Sequence, residues 1–374
     1  MAVLVLTKTV KMNKQNQHRP RLNDEEYKLI QEYRGIIEAS EEMQLDVKDV
    51  KHGWLKNKHA SVFFKNPHFQ IEQFDPDKIN WDKILRGLNL SVINHTNKII
   101  SGCIFDRLVF TDTHVAMNPN PDGYSQYGGK WDEEELQYRT EQIIHKVVKN
   151  RKSPILFIDD LGDLMDGWNG ETLRKGHSLP QNMDNQKAFD IALEFKITLI
   201  GNLSRFYKKV YVNNICNDNH SGAFGYMVNE AAKKVLKYIA KNVRVFNHRK
   251  FINHYRIKDN IFIISHGKDQ GEMKFGFKPH LDKPGMEKID NYIDRHYLLQ
   301  KGVRIEFSKG DSHQLLFDSA TSDRFDYFNY MALSPASNYI QTNYKIGKSG
   351  ASFFNYRDTF NYIVEHFFFK WNKE

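Results

Sequence analysis

Five short motifs rich in Asp, His and Asn each follow an apolar stretch that is typical of a β-strand. Such side chains are common metal ligands, and open α/β sheets place their binding sites at the carboxyl ends of strands. One such motif occurs by chance in many proteins, but five in succession require a fold that gathers five strand ends. We therefore predict a hydrolytic site for two metal ions. The motifs are Asp112-Thr113-His114, Gly162-Asp163-Leu164-Met165-Asp166, Asn219-His220, His266-Gly267 and Asp311-Ser312-His313.

The sequence between these motifs alternates between strand and helix patterns. This alternation predicts an α/β layered domain. After His313 the sequence changes to short β-like pieces with turn residues, which predicts a second sheet packed on the first. The predicted strands are Arg107–Thr111, Pro154–Asp160, Lys209–Ile215, Ile261–Ser265 and Val303–Phe307, and the predicted helices are Asp132–Asn150, Asn182–Tyr207, Phe224–Lys241 and Gly285–Gln300.

Composition restricts the cellular setting and the partners. The 374 residues carry a net charge of +8, which favours a polyanionic partner such as nucleic acid. Two cysteines are too few for a disulfide framework and are typical of a reducing compartment. The sequence has neither a signal peptide nor a membrane-spanning stretch, so we expect a cytoplasmic protein without a membrane partner. Its oligomeric state is open.

The first 100 residues differ in composition from the rest, and we place a boundary within residues 70–100. Residues 1–22 form a basic arm, either solvated or polyanion-binding, and a helix is predicted to begin after Leu22. Residues 51–68 combine four lysines with three aromatic residues and no acid. We assign residues 1–100 to an arm and helical extension, which is either a small DNA-binding module or a structural addition, and residues 101–374 to the catalytic domain.

The order of the five motifs resembles the calcineurin-like metallophosphoesterase superfamily. That pattern is Asp-x-His, Gly-Asp-x-x-Asp/Asn, Gly-Asn-His-Asp/Glu, a strand-end His, and Gly-His-x-His, and the resemblance covers roughly residues 103–355. It implies a four-layer α/β/β/α sandwich with two mixed sheets between helices. It also implies a site for two divalent metal ions, where a hydroxide that bridges the metals attacks a phosphoester.

The resemblance also implies a role for individual residues. Asp163 would bridge the two metals, and His220 would assist the leaving group without binding a metal. Asp166 would support the site by hydrogen bonding. Apart from the resemblance, we expect Arg174 and His177 on a loop beside the cleft that either contacts substrate or is plain surface. The first metal would be held by Asp112, His114, Asp163 and His313, and the second by Asp163, Asn219, His266 and Asp311.

Two positions depart from the family pattern. Asp311 stands where the family has a histidine; a carboxylate still binds metal and favours harder ions such as manganese or magnesium. Asp218 and Ser221 replace the Gly and the acid that flank Asn-His, so the orientation of His220 needs another partner. Neither change removes a donor atom. We expect manganese, although magnesium, iron and zinc also suit such ligands.

The substrate is the least constrained part of the prediction. The basic charge, the arm, Ser334-Pro335 and Lys348-Ser349-Gly350 are most similar to the SbcD-like exonuclease branch, which favours a DNA nuclease. Two alternatives stay open: a phosphatase or phosphodiesterase acting on small nucleotides or phosphoproteins, and a non-catalytic nucleic-acid-binding protein with a degenerate site.

Overall fold

The computed structural model describes the backbone of residues 52–56 and 61–65, and residues 74–89, 102–121, 123, 129–174, 176–267, 275, 279–343 and 348–369. The chain forms two compact units, Met1–Glu72 and Gln73–Glu374. In the first unit, β1 (His52–Lys56) and β2 (Ser61–Lys65) pair antiparallel. The basic-aromatic segment therefore contains a β-hairpin. The helix predicted after Leu22 lies outside the described residues.

The second unit alternates strands and helices in the order expected for a layered α/β domain. Two short 3-10 turns, Pro76–Lys78 and Gly87–Asn89, flank the first helix. In chain order the elements are α1 (Trp81–Arg86), β3 (Phe105–Phe110), α2 (Glu133–Asn150), β4 (Ile155–Asp160), α3 (Asn185–Ser204), β5 (Lys209–Ile215), α4 (Gly222–Ile239), β6 (Val243–His248), β7 (Ile252–Ile257), β8 (Asn260–Ser265), α5 (Lys283–Arg295), β9 (Arg304–Lys309), β10 (Leu316–Asp318), β11 (Asp326–Asn329), α6 (Asn338–Asn343), β12 (Ser349–Tyr356) and β13 (Tyr362–Phe369).

The elements form two mixed sheets. The six-stranded sheet has the order β13-β12-β3-β4-β5-β6, in which β3 to β6 are parallel and β12 and β13 are antiparallel additions. The five-stranded sheet has the order β10-β11-β9-β8-β7, with β8, β9 and β11 parallel. Parallel neighbours end at the same edge of a sheet, so the loops after β3, β4 and β5 lie side by side, as do those after β8 and β9.

Three apolar clusters separate four layers. The first lies between the six-stranded sheet and helices α2 to α4, and includes Leu108, Ile158 and Leu193. A second lies between the sheets, where Phe262 and Phe354 are fully buried. The third lies between the five-stranded sheet and α5. The predicted α/β/β/α sandwich is therefore confirmed.

A buried ion-pair group joins the two sheets. Arg107 of β3 is fully buried, and its Nε donates to Asp159 Oδ2 over 2.6 Å. Its Nη1 donates to Glu306 of β9, and Tyr255 donates to Asp159 Oδ2 over 2.6 Å. A buried charge is tolerated only when it is paired and hydrogen-bonded. This group therefore fixes β3, β4 and β9, three strands that lead into the motifs.

The elements predicted from sequence are present, with shifted ends. The predicted helix Gly285–Gln300 ends at Arg295, because Tyr297 has a φ of 53° and leaves the helical region. The sequence analysis does not predict strands β6 and β7. Their residues, VRVFNH and INHYRI, form neither a strict alternation of apolar and polar residues nor a continuous apolar run. In the part of the chain that is described, no helix is long and apolar enough to cross a membrane.

Candidate metal centre

The five motifs follow the ends of β3, β4, β5, β8 and β9, so both sheets contribute to one site. Backbone hydrogen bonds align the first two loops: the amide of Asp112 donates to Gly162 O over 3.0 Å, and that of His114 donates to Asp163 O over 2.9 Å. Asp163 Oδ1 accepts from the amide of His220 over 3.2 Å, which joins the third loop to the second. The β9 loop is joined to the β3 loop, since the amide of Asp311 donates to Asp112 Oδ2 over 3.1 Å.

The backbone at the motifs is strained. Nine non-glycine residues in the described part of the chain have a positive φ, a region that L-residues rarely adopt. Each such conformation costs about 1–3 kcal/mol and persists where surrounding contacts enforce it, as at binding sites. Five of the nine are motif residues: Asp112 (52°), His114 (46°), Asp163 (50°), Asp311 (66°) and His313 (55°).

Asp112, His114 and His313 form one group of possible ligands. Asp112 Oδ1 lies 3.2 Å from His313 Nε2 and 3.6 Å from His114 Nε2, and the two Nε2 atoms are 3.3 Å apart. Thr111 donates its hydroxyl to Asp112 Oδ2 over 2.7 Å. Because Oδ2 is occupied by hydrogen bonds, Oδ1 is the Asp112 atom that faces the imidazoles. These three side chains could hold one metal ion.

Asp163 lies where three imidazoles converge. Its Oδ2 is 3.0 Å from the Nε2 of His266 and 3.9 Å from the Nε2 atoms of His114 and His220. Two further groups of possible ligands contain this carboxylate: one with His114 and His220, the other with Asp112 and His266. Asp163 is therefore part of more than one group of possible ligands, as a bridging ligand requires.

His266, Asp311 and Asn219 are the remaining ligands that the sequence predicts. The Nδ1 of His266 is 3.1 Å from the carbonyl of Leu161, so Nδ1 carries the proton and Nε2 faces the site. His266 Nε2 is 4.0 Å from Asp311 Oδ1. Asn219 Oδ1 is buried and accepts no hydrogen bond from any residue that the structure describes. A buried amide oxygen without a partner costs about 1–3 kcal/mol, which a bound cation would offset.

Asp166 orients two imidazoles at once. Its Oδ1 lies 3.0 Å from His114 Nδ1 and 3.3 Å from His220 Nδ1. A carboxylate at Nδ1 fixes the tautomer and turns Nε2 toward the site. The side chain of His220 is 21% exposed and that of His266 is 1% exposed. Of the imidazoles at the site, His220 is therefore the one most accessible to an entering molecule.

The charges of the site shift the pKa of each partner. Burial would raise the pKa of Asp163, but the neighbouring His266 and His220 hold it well below its usual range. Burial would lower the pKa of His266, but the Asp163 carboxylate outweighs this and raises it to about 10. Burial would lower the pKa of His114, but the neighbouring Asp112 and Asp166 carboxylates outweigh this and raise it well above its usual value. The opposite charges of these imidazoles and carboxylates thus stabilise each other.

The loop that carries Arg174 and His177 runs along the third motif. The amide of Leu173 donates to His220 O, and that of Arg174 to Asn219 O, both over 3.1 Å. The Arg174 guanidinium donates to the carbonyl of Asn217 over 3.1 Å. Arg174 is half-buried beside the motif, whereas His177 is exposed. The structure therefore places Arg174 next to the site and His177 farther along the same loop.

The residues that replace the family's flanking Gly and acid are hydrogen-bonded to each other. Asp218 accepts from the Ser221 amide over 2.6 Å and from the amide of Gly222 over 3.0 Å, at the amino end of α4. Burial, assisted by the charge of Asp163, raises the pKa of Asp218 to about 6. Asp218 thus fixes the turn after His220, while Asp166 contacts the His220 ring.

Side-chain contacts link most of the predicted site residues, while Asn219 joins through the backbone of its loop. Sequence reasoning missed supporting residues: the Thr111 hydroxyl, and Trp131, whose Nε1 donates to the carbonyls of Thr113 and His114 over 2.9 and 3.0 Å. No local pattern identifies Trp131, because its partners are 17 and 18 residues away. The side chains linked are those of Asp112, His114, Asp163, Asp166, His220, His266, Asp311 and His313.

Comparisons with known proteins add distant structural similarity. No protein-family model and no curated protein matches the chain. Among solved structures, Vps29 from Entamoeba histolytica complexed with Zn²⁺ is 12% identical, covers 71% of this chain and 99% of its own, and has a TM-score of 0.32. Sulfate thiohydrolase SoxB from Thermus thermophilus is 8% identical, and the match covers 73% of this chain and 57% of SoxB, with a TM-score of 0.32. Phosphopantetheinyl hydrolase from Mycobacterium tuberculosis is 9% identical, and the match covers 65% of this chain and 93% of the hydrolase, with a TM-score of 0.27. At these scores no function is transferred from them.

Proposed function

We propose that the chain is a phosphoester hydrolase that uses two divalent metal ions. The observation that supports this most strongly is the convergence of three Nε2 atoms on Asp163 Oδ2, at 3.0, 3.9 and 3.9 Å. A carboxylate that several imidazoles face can serve as a shared ligand of two ions. The orphaned Asn219 Oδ1 adds a neutral oxygen donor. The residues present therefore fit a pair of divalent ions.

Each ion has its own set of ligands in this proposal. When bound, the ions would generate a nucleophile from water at neutral pH and neutralise charge on the phosphoryl oxygens. Mixed oxygen and imidazole donors suit manganese, iron and zinc, and the additional carboxylate of Asp311 favours manganese. The first ion would be held by Asp112, His114, Asp163 and His313, and the second by Asp163, Asn219, His266 and Asp311.

His220 protonates the leaving oxygen in this proposal. Its Nδ1 contacts Asp166, so a proton on Nε2 is directed into the site. The pKa of His220 is raised, because Asp163 and Asp166 outweigh the effect of burial. A raised pKa increases the protonated fraction of the imidazole, and the protonated imidazole is the form that acts as a general acid.

The proposed substrate is a phosphodiester, and we extend this to DNA. The net charge of +8 favours a polyanion, and Arg174 lies beside the motif that carries His220, where its charge can attract a phosphate. In this proposal Arg174 and His177 contact the substrate. Small nucleotides and phosphoproteins are alternative substrates that the same chemistry would serve.

One experiment distinguishes a DNA nuclease from a phosphatase and from a non-catalytic DNA-binding protein. Manganese-loaded protein is assayed on labelled single- and double-stranded DNA, on bis-aryl phosphate and on mono-aryl phosphate. The proposal expects metal-dependent cleavage of the bis-aryl phosphate and of DNA. Cleavage of the mono-aryl phosphate alone would move the assignment to a phosphatase, and DNA binding without any hydrolysis would move it to a non-catalytic protein.

Matched variants keep this assay interpretable. Asp163→Asn removes the shared carboxylate, whereas Asp106→Asn removes a buried carboxylate that accepts from the amides of Lys152 and Ser153 before β4, at the other end of the same sheet. Activity is expected to disappear in the first variant and persist in the second. Equal activity in the two variants would contradict the proposal.

A further inference from the structure

Helix α3 carries a lysine whose charge is completely buried. Lys196 has no exposed surface, and its helix neighbours Phe195 and Ile197 are buried as well. Taking an ammonium group out of water costs several kcal/mol unless other groups compensate it. The groups that contact Lys196 must therefore compensate this cost, and they indicate its structural role.

Lys196 contacts the ends of three neighbouring strands. Its Nζ donates to Asp160 Oδ2 over 2.6 Å and to Asn214 Oδ1 over 2.7 Å. The same Nζ lies 5.3 Å from the centre of the Phe110 ring, within the range of a cation–π contact. Phe110 ends β3, Asp160 ends β4, and Asn214 is the last residue but one of β5.

These are the strands that lead into the first three motifs. Asp112 follows Phe110 by two residues, Asp163 follows Asp160 by three, and Asn219 follows Asn214 by five. One ammonium group thus joins the starting points of three loops that carry proposed ligands.

The Asp160 contact continues into the site through hydrogen bonds. Asp160 Oδ1 accepts from the amide of Gly162 over 3.1 Å, and Gly162 O accepts from the amide of Asp112 over 3.0 Å. Gly162 has a φ of 110°, and a Cβ at this position would lie 3.1 Å from His266 Nδ1. The loop therefore needs glycine here, and a small shift of Asp160 would change the spacing between the loop and His266.

The side chain of Asn214 is itself held by further hydrogen bonds. Asn214 Nδ2 donates to Asn247 Oδ1 over 2.7 Å, and Asn247 Nδ2 donates to Glu230 Oε1 over 2.9 Å. Because its amide nitrogen is occupied, Asn214 presents its oxygen to Lys196. The orientation of this amide is thus fixed by both neighbours.

We propose that Lys196 is a positioning residue that sets the spacing of the three ligand loops of the metal centre. This inference rests on the proposed function, because those ligands matter only if the site binds metal. Lys196 itself does not bind metal or substrate in the proposal; it acts through Asp160 and Asn214.

The test compares full-length wild type with Lys196→Met, which keeps the length of the side chain and removes its charge. Mn²⁺ affinity is measured by calorimetry, and hydrogen exchange of the loop containing Gly162 is measured in metal-free protein. Groups that orient metal ligands typically alter affinity by about 10–100-fold. We expect Lys196→Met to weaken Mn²⁺ binding by that factor and to speed exchange of the loop.

Two further variants separate positioning from general stability. Asp106→Asn perturbs a buried carboxylate at the other end of the sheet, and should leave Mn²⁺ affinity and loop exchange unchanged even if it lowers the melting temperature. If Lys196→Met does not fold, the double variant Lys196→Met/Asp160→Asn is used, because it leaves no unpaired charge. Wild-type affinity and exchange in whichever Lys196 variant folds would overturn the proposal.

The exchange measurement keeps the two proposals distinguishable. If wild type binds no Mn²⁺ at all, the proposed function fails. Faster loop exchange in Lys196→Met than in Asp106→Asn would still support the ordering role of Lys196, and equal exchange would overturn that role as well.

Discussion

Asp166 offers the sharpest test of how the imidazoles are arranged. Its Oδ1 faces two rings, 3.0 Å from His114 Nδ1 and 3.3 Å from His220 Nδ1, and the residue is 3% exposed. Asp166→Asn keeps the size and an acceptor oxygen but removes the charge. The variant therefore reports the electrostatic part of both contacts with little change in packing.

The expected magnitude follows from the two contacts. Hydrogen bonds to a charged group contribute about 1.5–3 kcal/mol, and neutral ones about 0.5–1.5 kcal/mol. Removing the charge should thus cost about 1–1.5 kcal/mol at each ring, or roughly tenfold each. At His114 the loss should appear as weaker Mn²⁺ binding, and at His220 as slower turnover.

Calorimetry with Mn²⁺ and steady-state kinetics on a bis-aryl phosphate measure the two losses separately. In a double-mutant cycle with His220→Gln, the turnover losses should not add, because Asp166 acts on turnover through that ring. Full additivity, or wild-type values for both affinity and turnover in Asp166→Asn, would refute the arrangement described here.

Three other predictions follow. His220→Gln should cut turnover by about 10²–10⁴-fold and leave Mn²⁺ content intact, compared with the exposed His145→Gln on α2 as control; loss of metal in His220→Gln would make this residue a ligand. The pKa of His266 is raised from 6.5 to about 10, so the stabilising effect of its protonated form is complete below about pH 6.5 and is lost as the pH rises toward 10. The melting temperature of metal-free protein should therefore fall across that interval. A constant melting temperature from pH 7 to 10 would contradict this. Deleting residues 1–22 should weaken DNA binding while hydrolysis of an aryl phosphodiester persists. It should also flatten the salt dependence of binding, whose log–log slope is about −0.9 per phosphate neutralised. Equal slopes for the full-length and the truncated protein would show that the arm takes no part in DNA binding.

The sequence predicts most of the fold because strong local signals coincide with its elements. Helix α2 has Asp132 as its cap, which accepts from the Glu135 amide, three acids in its first turn and Lys149 in its last. Strands β4 and β5 are short apolar runs with a polar end. Local chemistry sets such elements, so a single sequence reveals them.

The details of the site depend on contacts between distant residues, which no local pattern reports. His114 meets His313 across 199 positions, and Lys196 meets Asp160 across 36. A lysine within an apolar helix also occurs where the side chain reaches solvent, so sequence alone does not distinguish a buried ammonium from an exposed one. The motifs thus predict which residues take part, and the three-dimensional contacts assign their partners.

The central claim is that Asp163 is shared by two metal ions. Elemental analysis of Mn²⁺-reconstituted protein tests it most directly, with wild type, Asp163→Asn and the control Asp106→Asn measured together. We predict two ions per chain in wild type and in Asp106→Asn, and a sharp loss of metal in Asp163→Asn. Two ions per chain in Asp163→Asn, or none in wild type, would contradict the claim.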